Sequence, residues 1–196
     1  RQPLEDGIIT VSRAAGTLTF PAKFILVAAS NPCPCGYLGD PQKPCSCLPG
    51  QVQRYQKRVS GPILDRIDIH LEVPAVKVEK LTENQELKTE NSEKIKTRVQ
   101  KARNIQTKRF KGIGILPAGR QVFCNAEMST KDIKNFCSLS NDCLVLLRQA
   151  TIQINLSARS YYRVIKVART ITDLAGGKEI LVSHLAEALQ YRPREN

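Results

Sequence analysis

No run of apolar residues in this chain approaches the roughly 20 that a bilayer-spanning helix needs, so no membrane contact is expected. The first residues, Arg1-Gln2-Pro3-Leu4-Glu5-Asp6, have neither the apolar stretch of a signal peptide nor an initiator Met, and the expectation is a cytoplasmic piece of a longer protein. No G-x-x-x-x-G-K-[S/T] occurs. Gly112 to Arg120 and Gly176-Gly177-Lys178-Glu179 both depart from it, and no apolar strand ends in Asp-Glu. A phosphate cradle of the P-loop type is therefore excluded from these 196 residues. Internal repeats and long low-complexity tracts are also missing, while a hydrophobic fraction of 41% suffices for a packed core.

What is present is an uneven positive charge. The formal net charge is +12, and residues 76–123 alone contribute 12 basic against 5 acidic side chains. Such a local field attracts polyanions, nucleic acid above all. A solvated, Lys-rich helix and loop accounts for the charge equally well.

The seven cysteines are odd in number and follow no secretory signal, which points to a reducing compartment. Cys33, Cys35, Cys45 and Cys47 crowd into fifteen residues with the spacing C-x-C, nine residues, C-x-C. Four thiolates suit tetrahedral Zn²⁺, and a loop this poor in apolar residues gains folding energy from a metal. The alternatives are reduced thiols or disulfides, since Cys-x-Cys is tighter than the common Cys-x-x-Cys knuckle. Cys124, Cys137 and Cys143 fall among apolar helical positions and read as small core residues.

Along the chain, residues 8–20 read as a hairpin around Ala14-Ala15-Gly16, with Arg13 beside its turn. Phe24 to Ala29 reads as a buried strand with Asn31 just past its end, where open α/β sheets hold ligands. Residues 32–50 form a Cys-rich loop, Gln51 to Val59 a polar helix, and Ile67 to Val73 a half-buried strand. Residues 81–91 read as a linker. Ser92 is expected to cap a helix to about Phe110, with Ile95, Val99, Ala102 and Ile105 on one face. Gly112 to Val122 reads as loop; Ser129, Ser140, Ser157 and Ser183 each open a further helix, and Gly176 stops the third. The expected fold is thus α/β followed by all-α, with an α/β part in 1–80 and a helical part in 92–196.

Several separated stretches, in order, carry a resemblance. They are Leu4-Glu5-Asp6-Gly7, Thr19-Phe20-Pro21-Ala22, Asn31-Pro32-Cys33-Pro34-Cys35-Gly36, Ser60 to His70, Asn155-Leu156-Ser157-Ala158-Arg159, and Lys166 to Ile171. Together they resemble the C-terminal part of magnesium-chelatase-like AAA+ P-loop ATPases, specifically the ComM (YifB) competence-protein family. That resemblance implies an incomplete AAA+ sheet with an inserted hairpin, followed by a helical lid. It further implies a homo-oligomeric ring, a hexamer when intact, that couples hydrolysis of ATP with Mg²⁺ to DNA branch migration or helicase action in natural transformation. By the same resemblance Asn31 matches sensor 1, Arg66 the arginine finger, Arg159 sensor 2, and Arg13 a DNA contact on the hairpin. Local chemistry also allows Asn31 as a turn former, Arg66 paired with Asp65 or Asp68, Arg159 solvated beside its cap, and a hairpin with no ligand. A porphyrin-metallating magnesium-chelatase subunit and a non-enzymatic zinc module that binds nucleic acid are the rival functions. Without a phosphate cradle, the chain by itself is expected neither to hydrolyse ATP nor to bind it tightly.

Overall fold

The computed structural model describes residues 2–59, 61–74, 90–111 and 122–192. The expected linker at 81–91, all but its last two residues, and the expected loop from Gly112 to Val122, all but its last residue, lie outside them. The chain divides into two compact units, one reaching to Ile67 and one helical unit that also takes in Asp68–Leu71.

In the first unit a short helix, α1 (Gln2–Asp6), precedes two antiparallel strands, β1 (Ile8–Arg13) and β2 (Gly16–Pro21). The register sets Ile9 opposite Phe20 and Val11 opposite Leu18 on one face. The other face carries Thr10 opposite Thr19 and Ser12 opposite Thr17. Period-2 alternation produces this separation, and the facing hydroxyls meet at 3.3 and 3.0 Å. Arg13 ends β1 opposite Gly16, whose φ of 140° is open to glycine at little cost. Two short helices follow the Cys-rich loop: α2 (Pro49–Gln56), with Pro49 in its first turn, and α3 (Gly61–Leu64).

The strand expected at Phe24–Ala29 does not form. These residues are irregular, and Ile25 and Val27 are 85% and 88% exposed. The expected strand at Ile67–Val73 is irregular too, with Val73 88% exposed. The reason is physical: an apolar run becomes a strand only when a neighbouring backbone takes its N–H and C=O groups. Among the described residues β1 and β2 pair only with each other. Among the described residues the sheet is therefore this one hairpin, and the regular structure is mostly helical.

The second unit opens with α4 (Ser92–Phe110). Its cap is Asn91, whose side chain accepts the Lys94 N–H at 2.9 Å, so Ser92 is the first helical residue rather than the cap. Of the expected apolar face only Ala102 is buried, continuing through Gln106 and Phe110; Ile95 and Val99 remain 41% exposed. A 3-10 turn at Asn125–Glu127 leads to α5 (Thr130–Phe136), α6 (Asn141–Gln153), α7 (Ala158–Leu174) and α8 (Val182–Gln190). Ser129, Ser140 and Ser157 cap α5, α6 and α7 through side-chain oxygens, as expected from sequence. Gly176, at φ 73°, turns the chain out of α7. The start of α8 differs from expectation. Leu181 precedes the helix, and its N–H donates to His184 Nδ1 at 3.2 Å, a bond that the Ser183 side chain does not supply.

Helix α7 organises the core. Ser160, Val164, Ala168 and Thr172 form one buried row at i, i+4 spacing, and Ile165, Arg169 and Asp173 form the next. Leu147 and Cys143 from α6, Leu185 and Ala188 from α8, and Met128 and Ile133 close around them. Phe110 meets Phe136 edge to face, with ring centres 5.7 Å apart. Cys137 and Cys143 are core residues as expected, whereas Cys124 is only half-buried.

Candidate metal centre and functional site

The Cys-rich loop brings Cys33, Cys35, Cys45 and Cys47 together, their four Sγ atoms all within 4.8 Å of one another. Cys33 lies 3.3 Å from Cys35 and 3.7 Å from Cys45, and Cys35 lies 3.5 Å from Cys45, sulfur to sulfur. Tetrahedral zinc with bonds of about 2.3 Å spaces its sulfurs about 3.8 Å apart. All four cysteines are free in this structure.

Local backbone builds this cluster. Gly36, at φ 85°, donates its N–H to the Cys33 carbonyl at 3.0 Å, closing the turn that carries Cys33 and Cys35. Asp40 accepts the Gln42 and Lys43 N–H groups and folds the loop back, and Lys43 rests over the Tyr37 ring. A backbone hydrogen bond from Tyr37, seconded by one from Ser46, lowers the Cys35 thiol to about 5. At Cys45 the Cys47 N–H favours the thiolate, but desolvation and the neighbouring Cys35 and Cys33 sulfurs prevail, and the thiol is pushed up to about 12.

Asn31 stands two residues before this cluster, exposed, against Gly36; a Cβ there would sit 3.8 Å from its side-chain amide. The Pro32 carbonyl accepts from Gln56 Nε2 at 3.2 Å, which ties α2 to the segment. Arg66, just past α3, is half-buried. It donates to Glu5 Oε2 at 2.6 Å and to the Pro62 carbonyl at 2.5 Å. Glu5, 61 residues away, is thus an acidic partner of Arg66, and Asp68 meets Arg163 of α7. Arg13 is exposed at the hairpin end. Arg159 occupies the second position of α7, exposed, in the first turn, where backbone N–H groups face outward. Within the first unit, then, Asn31 and the cysteines share one loop; Arg159 belongs to the helical unit.

Sequence reasoning missed the strongest polar cluster of the helical unit. Asp173, 2% exposed, receives Arg109 of α4 as a two-pronged pair and Arg169 at 2.9 and 3.2 Å. Asn125 adds a bond to Asp173 Oδ2 at 2.8 Å and accepts from Arg109 at 2.8 Å. Arg169 also donates to the Lys178 and Gly177 carbonyls. Burial alone favours the neutral acid, but the Arg109 and Asn125 hydrogen bonds outweigh it and hold the Asp173 carboxyl below its ordinary range. The i, i+4 spacing of Arg169 and Asp173 was the one local signal available; Arg109 and Asn125 are 64 and 48 residues away.

Two family descriptions match these units in order. "Magnesium chelatase, subunit ChlI" covers residues 1–81, and "Magnesium chelatase, subunit ChlI C-terminal" covers residues 89–192. The chain belongs to this magnesium-chelatase-like family, on its ComM and YifB side. It is 42% identical over 192 residues to the competence protein ComM of Haemophilus influenzae and 39% identical over 193 residues to the uncharacterized protein YifB of Escherichia coli. It is 33% identical over 192 residues to the uncharacterized protein Rv2897c of Mycobacterium tuberculosis. Each of these alignments takes in 98% of this chain but only 35–36% of the relative, so the chain spans about a third of the length of the curated relatives it matches.

Proposed function

We propose that this chain is the nucleotide-sensing and lid portion of a ring-forming AAA+ ATPase, whose hydrolysis of ATP with Mg²⁺ drives branch migration or helicase action on DNA. The observation that carries this reading is the 42% identity, along 98% of the chain, to a protein named for competence. The intact assembly is a cytoplasmic homo-hexamer acting in natural transformation and recombination. No described helix is long and apolar enough to cross a membrane.

Each site residue then has a role. Asn31, a neutral amide, orients the γ-phosphate and attacking water without reacting. Arg66 enters a neighbouring subunit's site as the finger, exchanging Glu5 for developing phosphoryl charge. Arg159 meets the nucleotide from the first turn of α7, where helix N–H groups favour an anion. Arg13 touches DNA backbone from the hairpin. Cys33, Cys35, Cys45 and Cys47 hold Zn²⁺, which would cross-link a loop that has little core of its own.

The test uses the whole protein. Branched DNA should stimulate its ATPase, and Arg66→Ala should lower turnover by about 10³–10⁵. Stimulation by a porphyrin-loading partner and not by DNA would support a chelatase subunit instead. The four-thiol geometry also favours a second reading, a non-enzymatic zinc module that binds nucleic acid. In that case a chelator abolishes DNA binding by the chain and Arg13→Ala leaves it intact.

A further inference from the structure

Helix α4 carries seven basic residues and one acid, Glu93, in its first turn. Two of the seven are committed within the unit: Arg98 pairs with Glu90 at 2.8 Å, and Arg109 pairs with the buried Asp173. The other five, Lys94, Lys96, Lys101, Arg103 and Lys108, are exposed. Their spacing is regular. Lys94, Lys101 and Lys108 recur every seven residues, and Lys96 and Arg103 do the same. Seven residues are nearly two turns and about 10.5 Å of rise, so each set makes a row along the axis.

The two rows stand roughly 160° apart around the helix, at 100° per residue. Between them, on the side away from buried Ala102 and Gln106, run Thr97, Gln100, Asn104 and Thr107, all exposed. Gln100 donates to Asn104 at 3.0 Å, which aligns two amides along the ridge. An uncharged ridge of amides and hydroxyls with a row of cations on either flank fits one partner well. An α-helix with its side chains is about 10–12 Å across, and the major groove of duplex DNA is about 12 Å wide between two phosphate walls. Cations on both flanks reach both walls, while the ridge faces base edges with groups that donate and accept. An acidic protein surface has no reason to demand two rows separated by a neutral strip.

We propose that α4 is a duplex-DNA-binding helix, with Lys94, Lys101 and Lys108 on one phosphate wall and Lys96 and Arg103 on the other. This deepens the DNA reading above and rests on it for the identity of the polyanion. The surface differs from the hairpin contact at Arg13.

The experiment is fluorescence anisotropy of the 196-residue chain with a labelled duplex, titrated across salt. Every phosphate that a variant leaves unneutralised reduces the slope of log K against log salt by about 0.9. Combined Lys94→Gln, Lys101→Gln and Lys108→Gln should lower the slope by about 2.7 and weaken binding about tenfold or more at about 0.1 M salt. Lys96→Gln with Arg103→Gln should lower it by about 1.8. A charge-matched control, Lys131→Gln, Lys134→Gln and Lys178→Gln, should leave the slope unchanged, and thermal melts should show all variants folded. The proposal is overturned if the control weakens binding as much as the first row does, or if poly-glutamate competes as well as DNA. A defect from Arg13→Gln alone, with both α4 rows dispensable, would overturn it while leaving the hairpin reading in place. Failure of the chain to bind any duplex would overturn it without touching the nucleotide roles of Asn31, Arg66 and Arg159.

Discussion

Replacing Asp173 with Asn tests whether the helical unit is organised around one buried carboxylate. The substitution keeps the shape and removes the charge. It leaves Arg109 and Arg169 in place, 12% and 5% exposed at their side chains, with no anion between them. The new amide also offers one oxygen where two oxygens receive Arg109, Arg169 and Asn125, and it turns an N–H₂ toward guanidinium donors. Breaking a buried pair from one side costs about 3–5 kcal/mol. Against a domain stability of about 5–15 kcal/mol, that is a large fraction, and at about 4–8 °C per kcal/mol the melting temperature should fall by at least about 12 °C. Urea denaturation followed by circular dichroism at about pH 7 reads this as a lower midpoint at unchanged slope. The folded carboxyl titrates below the ordinary value of 3.8. Its contribution is therefore fully present above about pH 4 and disappears as pH falls through the lower folded value. The Asn variant should thus lose its deficit relative to the parent in acid. Replacing the charges together with their amide partner, Arg109→Met, Asn125→Leu, Arg169→Met and Asp173→Leu, should recover part of the stability, because an apolar set of similar volume needs no desolvated charge and strands no buried amide. A deficit below about 1 kcal/mol for the single variant, or one that persists undiminished at about pH 2, would refute the reasoning.

Three other outcomes are expected. The purified chain should contain one zinc per molecule by elemental analysis, and Cys33→Ser with Cys45→Ser should reduce this to none, with loosening confined to residues 32–50 by hydrogen exchange. Gly177→Ala should destabilise by about 1–3 kcal/mol in a thermal melt, because its Cβ would stand 3.1 Å from the Thr172 methyl, a side chain with no exposed surface. A double-mutant cycle on Glu5→Gln and Arg66→Met should give a coupling of about 0.2–1 kcal/mol in the isolated chain, since the pair is half-buried; a coupling of about 3 kcal/mol or more would show the pair to be fully desolvated instead.

The local features were legible without coordinates. Ser129, Ser140 and Ser157 cap their helices and Gly176 ends one, because a cap depends on groups within three or four residues. The hairpin at 8–20 and the gathering of four cysteines within fifteen residues are equally short-range. Where two residues compete to cap a helix start, the expected start is off by one or two positions, as at Asn91 for Ser92 and Leu181 for Ser183.

Tertiary structure alone decided the rest. An apolar run such as Phe24–Ala29 has the composition of a strand, but strand formation is settled by a neighbour's hydrogen bonds, which no composition records. Glu5 reaches Arg66 and Asn125 and Arg109 reach Asp173 across gaps of 48 to 64 residues. Charge and amide chemistry name the groups able to pair there; only the folded path of the backbone chooses which of them meet, because pairing strength depends on distance and burial rather than on order along the chain.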